Sequence, residues 1–258
     1  MALNPYFEPA PNGDTAFTIS PPRIKFGRGA LRELGYDAKA LGMSRVALFT
    51  DAQVATLAPM AIAKAALSEA GIDAVIYDEV EVEPTDRSFK AATAFALDGG
   101  FDGYISVGGG SGMDTCKAAN LYATHPVDDF LAYVNAPIGG ALAAPGPIKP
   151  HIACPTTFGT ASECTAMSIF DLLEMEVKTG IANPVLKPDL GIIDPDTLAT
   201  LPSEIVAANA FDVFSHAIES YTALPYTKRE PVSDPTKRPV SQGANPMSDL
   251  NCLEAIRL

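Results

Sequence analysis

The chain has 258 residues, of which 47% are hydrophobic, and its 18 Lys and Arg against 31 Asp and Glu give 18 − 31 = −13 in net charge. That length allows one large domain, or one domain with part of another, around a real buried core. The acidic balance repels polyanions, which argues against nucleic acid or an anionic membrane surface as a partner.

In chain order, short β-rich runs alternate with helical patterns. Strands are expected at Arg23–Phe26, Arg45–Thr50, Ala74–Asp78, Tyr104–Val107, His151–Pro155 and Leu190–Ile193. Between them, Val54–Ala70 reads as a helix stopped by Gly71, and Asp86–Leu97 as one stopped by Gly99-Gly100. Alternating β and α elements with apolar strands predict an α/β domain with a parallel sheet covered by helices. The pattern changes near Pro195. A long helix is expected from Pro202 to Thr222, then a Pro-, Lys- and Gly-rich loop over Pro225–Asn245. A last helix starts near Pro246 and is still running at Leu258, so the expected division is an α/β domain over 1–196 and the beginning of an incomplete helical domain over 197–258.

Cys116, Cys154, Cys164 and Cys252 form no C-x-x-C pair and read as reduced thiols of a cytoplasmic protein. The N-terminus carries neither an apolar signal region nor an Arg-rich amphipathic stretch, so no transit peptide is expected; a mitochondrial matrix location is the alternative in a eukaryote. No apolar run approaches the roughly 20 residues of a membrane span.

Gly108-Gly109-Gly110-Ser111-Gly112 follows the Tyr104–Val107 strand and leads into a helix through Met113–Asn120. A strand, a glycine turn and a helix N-terminus together present backbone N–H groups to a pyrophosphate. The usual fingerprint places an acidic residue about 20 positions after the glycines. Here the candidate, Asp51, precedes them at the end of the Arg45–Thr50 strand. It either accepts hydrogen bonds from ribose hydroxyls or caps the following helix. A second polar cluster, Pro155 to Glu163, holds Thr156, Thr157, Thr160 and Ser162, whose hydroxyls could hold phosphate or ribose, or open a helix.

Asp212 and His216 are four apart on the helix after Pro202, and Asn209 and Glu219 extend the stripe. Carboxylate with imidazole suits Fe²⁺ or Zn²⁺, although the spacing alone also fits a solvated polar face. His125 and His151 read as structural.

Val107-Gly108-Gly109-Gly110-Ser111 with Asp114, the Pro155–Glu163 cluster, Asp194-Pro195 and Phe211 to Glu219 together resemble the iron-containing alcohol dehydrogenase family over nearly the whole chain. The stretch Asp114–Ala123 and the loop Leu224–Pro246 narrow the likeness to the branch that moves hydride between a hydroxyacid and an oxoacid. The resemblance implies a dehydroquinate synthase-like architecture: an NAD-binding α/β domain followed by a helical domain holding Fe²⁺, with Zn²⁺ the alternative. Gly108, Gly109, Gly110, Ser111 and Asp114 would bind the cofactor, with Gly109, Gly110 and Ser111 at its pyrophosphate. Asp51 would stand by the adenosine ribose, Thr156, Thr157 and Thr160 would line the dinucleotide, and Lys178 would lie near the nicotinamide ribose. Asp212 and His216 would be the first two metal ligands, with no catalytic side chain beyond the metal site. The family's two further histidines would fall after Leu258, so a C-terminally truncated chain is expected, in which catalysis is doubtful. The implied reaction is 4-hydroxybutyrate with 2-oxoglutarate giving succinate semialdehyde and 2-hydroxyglutarate. The alternatives are NAD-linked oxidation of simple alcohols and a catalytically incomplete nucleotide-binding fragment. Expected partners are small hydroxyacids and oxoacids, with a homo-oligomer allowed and neither nucleic acid nor membrane. Lys228, Arg229, Lys237 and Arg238 in the long loop are candidate carboxylate attractors.

Overall fold

The structure, a computed structural model, describes residues 10–235 and 238–258. The chain divides into two units: Pro22–Leu201, and Pro202–Leu258 with the N-terminal stretch up to Pro21.

The first unit runs β1 (Ile24–Phe26), α1 (Leu34–Ala40), β2 (Arg45–Phe49), α2 (Ala58–Glu69), β3 (Asp73–Tyr77), α3 (Asp86–Gly99), β4 (Gly103–Gly108) and α4 (Gly110–Thr124). It continues with β5 (His151–Pro155), β6 (Met167–Leu172), β7 (Val177–Ala182) and β8 (Leu190–Ile193). Six strands form one sheet in the order β1-β8-β5-β4-β2-β3, and every neighbouring pair is parallel. The predicted α/β class and parallel sheet are thus present. Side-chain alternation along the strands splits the core into two layers. Val46, Leu48, Ile105 and Val107 pack on one face with Leu34 of α1 and Met60 and Leu67 of α2. Ala47, Phe49 and Tyr104 pack on the other with Ala92 and Ala96 of α3 and Cys116 and Ala119 of α4. Central strand β4 is buried along its whole length, as a parallel strand covered on both faces must be.

The expected Val54–Ala70 helix is broken. Val54–Thr56 is a 3-10 turn, Leu57 is extended, and α2 begins at Ala58. Pro59 is the cause: it has no N–H to give to the carbonyl of Ala55, but it is tolerated in a first turn, where N–H groups have no helical partner. Asp86–Gly99 is bounded as its residues suggest. Thr85 and Ser88 form a reciprocal capping box, and Gly100 closes the helix at φ 61°. Two elements were not foreseen, α1 and the antiparallel hairpin β6–β7 (Asp171 opposite Lys178). The hairpin's inward positions Ser168, Phe170 and Leu172 alternate as a strand requires, but apolar Met167 and Ile169 on the outward face and polar Ser168 on the inward one hide the period.

In the second unit, α5 spans Ser203–Thr222 and α6 spans Pro246–Arg257, opened by a capping box between Asn245 and Ser248. The intervening loop contains only a 3-10 turn at Tyr226–Lys228 and a bridge between Pro225 and Ala244 among its described residues. The N-terminal stretch pins this loop. Gly13 runs so close to Thr227 that a Cβ would stand 1.7 Å from its carbonyl oxygen. Asp14 pairs with Arg238 (2.9 Å), Phe17 packs on Tyr226, and Thr18 exchanges three hydrogen bonds with Gln242.

Candidate functional site

The strand order creates a crevice. The connection from β2 leads through α2 to β3 on one side, while the connection from β4 leads through α4 to β5 on the other. In open parallel sheets, ligands settle outside the carboxyl ends of the strands at such a switch point. The residues there are Asp51, just after β2, and Gly108 to Ser111, at the end of β4. The side chain of Asp51 lies 3.9 Å from where a Cβ on Gly108 would stand. Its Oδ1 accepts from Gln53 N–H and Val54 N–H, both at 2.9 Å. The carboxylate therefore caps the next turn, as one sequence reading held, and also faces the glycine turn.

The Thr cluster follows β5, the other neighbour of β4. Thr156 N–H donates to the Gly108 carbonyl (2.9 Å) and fastens the two strand ends together. Thr157 and Thr160 lie directly against the turn: a Cβ on Gly109 would meet Thr157 Oγ1 at 3.2 Å, and one on Gly110 would meet Thr160 Oγ1 at 3.1 Å. The glycines thus admit these threonines close against the turn. Gly109 is extended and α4 starts at Gly110, so the first N–H groups of a buried 15-residue helix point out of the sheet end. The helix-opening alternative for the cluster is met only by a 3-10 turn at Ser162–Cys164, entered through Ala161 in the left-handed region.

Asp114 faces away from solvent. Its carboxylate accepts from Ser162 Oγ (2.6 Å) and Ile169 N–H (3.0 Å), and lies 3.5 Å from Lys117 Nζ. Lys117 is fully buried, and its ammonium donates to Ser162 Oγ, Thr165 Oγ1 and the Met167 carbonyl. Burial pulls the Lys117 ammonium down and Asp114 pulls it back; three acceptors around Nζ suit the charged form. This network ties α4 to the Thr cluster and to hairpin β6–β7. Sequence reasoning missed Lys117 as a participant, although a Lys three residues after an Asp was a signal for it; Ser162 stood in the predicted polar cluster, but its bridge between Lys117 and Asp114 was not foreseen.

Lys178, on β7, is half-exposed and pairs with Glu83 (2.5 Å) and Asp171 (3.0 Å). Glu83 was also missed: nothing in Val82-Glu83-Pro84 marks it. Its N–H donates to Ser111 Oγ (3.3 Å). Nearby titratable groups are quiet. His151 is buried and neutral, its pKa pushed down to about 3 chiefly by burial, with Nε2 2.9 Å from Ser106 Oγ. Burial raises the Cys164 thiol to about 11 and the Cys154 thiol further, so neither is a ready nucleophile. His125 Nε2 lies at 3.1 and 3.0 Å from the Gly146 and Pro147 carbonyls, a structural bond.

In the helical unit, Asp212 and His216 share one face of α5, with Oδ1 and Nδ1 3.8 Å apart. They suit a divalent metal as two donors of the right kind. Among the described residues no three His, Cys, Asp or Glu side chains converge on such a site, so the pair is a partial donor set. Of the loop cations, Arg238 is committed to Asp14 through Nε and Nη2, and Arg229 donates to the Ser241 carbonyl. Lys228 is exposed, and Lys237 lies outside the described residues. No helix among the described residues is long and apolar enough to cross a membrane.

The sequence model of the iron-containing alcohol dehydrogenase family matches residues 21–195. Mitochondrial hydroxyacid-oxoacid transhydrogenase of Mus musculus is 48% identical over 254 residues, covering 97% of this chain and 55% of that protein. The protein of the same name from Homo sapiens is 48% identical over 253 residues, covering 96% and 54%. Among solved structures, a 1,3-propanediol oxidoreductase superposes with a TM-score of 0.79 at 29% identity, over 94% of this chain and 57% of that one. Sulfoacetaldehyde reductase from Bifidobacterium kashiwanohense, solved in complex with NAD+, gives a TM-score of 0.72 at 26% identity, over 81% and 55%. The chain spans about half the length of the curated relatives it matches.

Proposed function

The chain belongs to the iron-containing alcohol dehydrogenase family, and from that premise we propose that it supplies the NAD-binding part of a metal-dependent enzyme moving hydride from a hydroxyacid to an oxoacid. The observation that carries this reading is the convergence of Asp51, the glycine turn, Thr157 and Thr160 at one switch-point crevice. N–H groups at the start of α4 take the pyrophosphate. The carboxylate of Asp51 accepts from ribose hydroxyls and repels a 2′-phosphate. Thr156 fastens the end of β5 to the end of β4, Thr157 and Thr160 offer hydroxyls along the glycine turn, and Lys178 stands by the nicotinamide ribose. Asp114 serves from behind, holding α4 and the hairpin together.

Residues 202–258, with α5 and α6, belong to the helical metal-binding domain, with Asp212 and His216 as two of the ligands. Fe²⁺, or Zn²⁺ in its place, supplies Lewis-acid stabilisation of the substrate oxygen when bound. The chain's own contribution is to bind and orient the dinucleotide, and no side-chain base is assigned. The name shared by the relatives supports a hydroxyacid donor and an oxoacid acceptor, and 4-hydroxybutyrate with 2-oxoglutarate is the pair the family resemblance implies, small anions that need neither nucleic acid nor membrane. A mitochondrial location follows the same relatives.

The test uses the full-length protein loaded with iron. Transfer of deuterium from labelled 4-hydroxybutyrate to 2-oxoglutarate without added NAD supports the acid-to-acid reading. Net release of NADH with a simple alcohol, and no exchange between acids, would replace it with ordinary alcohol oxidation.

A further inference from the structure

We propose that Glu83 is a positioning residue that pins Lys178 beside the glycine turn and thereby slows release of the dinucleotide; the proposal rests on the NAD-binding reading above. Glu83 belongs to the loop between β3 and α3, and it is bonded in two directions. Its backbone N–H donates to Ser111 Oγ (3.3 Å), at the first turn of α4. Its carboxylate takes Lys178 Nζ at 2.5 Å, on β7. Lys178 has a second carboxylate, Asp171, but that residue lies opposite it in the same hairpin. Glu83 is what ties the tip of Lys178 to the phosphate turn.

The loop is built to hold this position. Asp171 N–H donates to the Pro84 carbonyl (2.8 Å), and Thr85 bridges Asp171. The hairpin is fastened back to α4, where Ser168 Oγ and Ile169 N–H donate to Asp114. Ser111, Glu83, Lys178, the hairpin and Asp114 thus close a ring along one side of the turn. Within it Glu83 has φ 58°, a left-handed conformation that strains any L-residue. Such outliers persist where the surroundings fix them, often at ligand clamps. The hydrogen bond to Glu83 holds the Lys178 ammonium above its usual range, with Asp171 adding to it.

The pair is solvent-exposed, so its effect is modest and screened by salt. Release of NADH from the 258-residue chain is followed by stopped-flow displacement with excess NAD+. Glu83→Gln should speed release about fivefold while association stays within about twofold, and the rise of the release rate with added NaCl should become shallower. Glu83→Gly, which accepts φ 58° freely but has no carboxylate, should release as fast as Glu83→Gln. Wild-type release from Glu83→Gly would show that relaxed backbone rather than the ion pair sets the rate, and would overturn the proposal. So would an unchanged rate and salt slope in Glu83→Gln. Failure of the wild-type chain to bind NADH at all would bring down the dinucleotide reading and this proposal together, whereas binding with unaltered release brings down this proposal alone.

Discussion

The carboxylate of Asp51 faces Gly108 across the gap between β2 and β4, 3.9 Å from the point where a Cβ would stand. The acidic residue thus precedes the glycines in sequence yet stands beside them in space, because the strand it ends pairs with the strand they end. Asp51 also caps two N–H groups, and the two duties separate by substitution. Asp51→Asn keeps the capping oxygen, so thermal stability should hold to within about 0.5 kcal/mol while preference for NADH over NADPH falls about tenfold or more. Asp51→Ala should lose both, at a cost of about 1 kcal/mol in denaturant unfolding.

The glycines differ among themselves. Gly110→Ala pushes a Cβ against Thr160 Oγ1, and Gly109→Ala against Thr157 Oγ1. Either should weaken NADH binding by about tenfold, the worth of one or two polar contacts. Gly112 has nothing within 4 Å of its Cβ position and lies inside α4. Gly112→Ala should bind NADH normally and gain about 0.5–1 kcal/mol in stability. A binding loss in Gly112→Ala equal to that in Gly110→Ala would mean that the steric distinction is irrelevant.

Lys117 and Asp114 are buried together, so removing one partner strands the other. Lys117→Met should cost about 3–5 kcal/mol, and Lys117→Met with Asp114→Asn should recover part of that loss. A double-mutant cycle by urea unfolding reads the coupling. Additive losses would show that the two do not act as a pair.

His151 carries the clearest pH signature. Its folded pKa of about 3 lies below the unfolded value of 6.5. The unfolded chain therefore binds the extra proton between those limits, and stability from this group is complete above about pH 6.5 and lost as pH falls towards 3. The slope in the middle of that window is about 1.4 kcal/mol per pH unit. His151→Gln, which cannot titrate, should flatten the pH dependence by that amount. Parallel curves for the two proteins would refute buried neutral His151 as the source.

Much of this was readable in the residues. β5 and β8 have the bounds their apolar runs suggested, and the glycine turn joins the strand and helix it was expected to join. What escaped had physical reasons. Pro59 interrupts a helical pattern by a missing N–H, which periodicity does not register. Lys178 was named, but its partner Glu83 comes from a distant loop and owes its position to tertiary contacts. Lys117 counts as a charge in the sequence and is a fully buried brace in the fold. Asp212 and His216 could be placed on one helix face, yet spacing within one helix reveals nothing about donors from elsewhere.

The central claim is that the switch-point crevice binds NAD(H), and direct titration of the 258-residue chain with NADH tests it most simply. Protein-enhanced NADH fluorescence should saturate at one site with a Kd between about 1 and 100 μM, and NADPH should bind at least about tenfold more weakly. No saturation up to about 1 mM NADH, or equal affinity for NADPH, would contradict it.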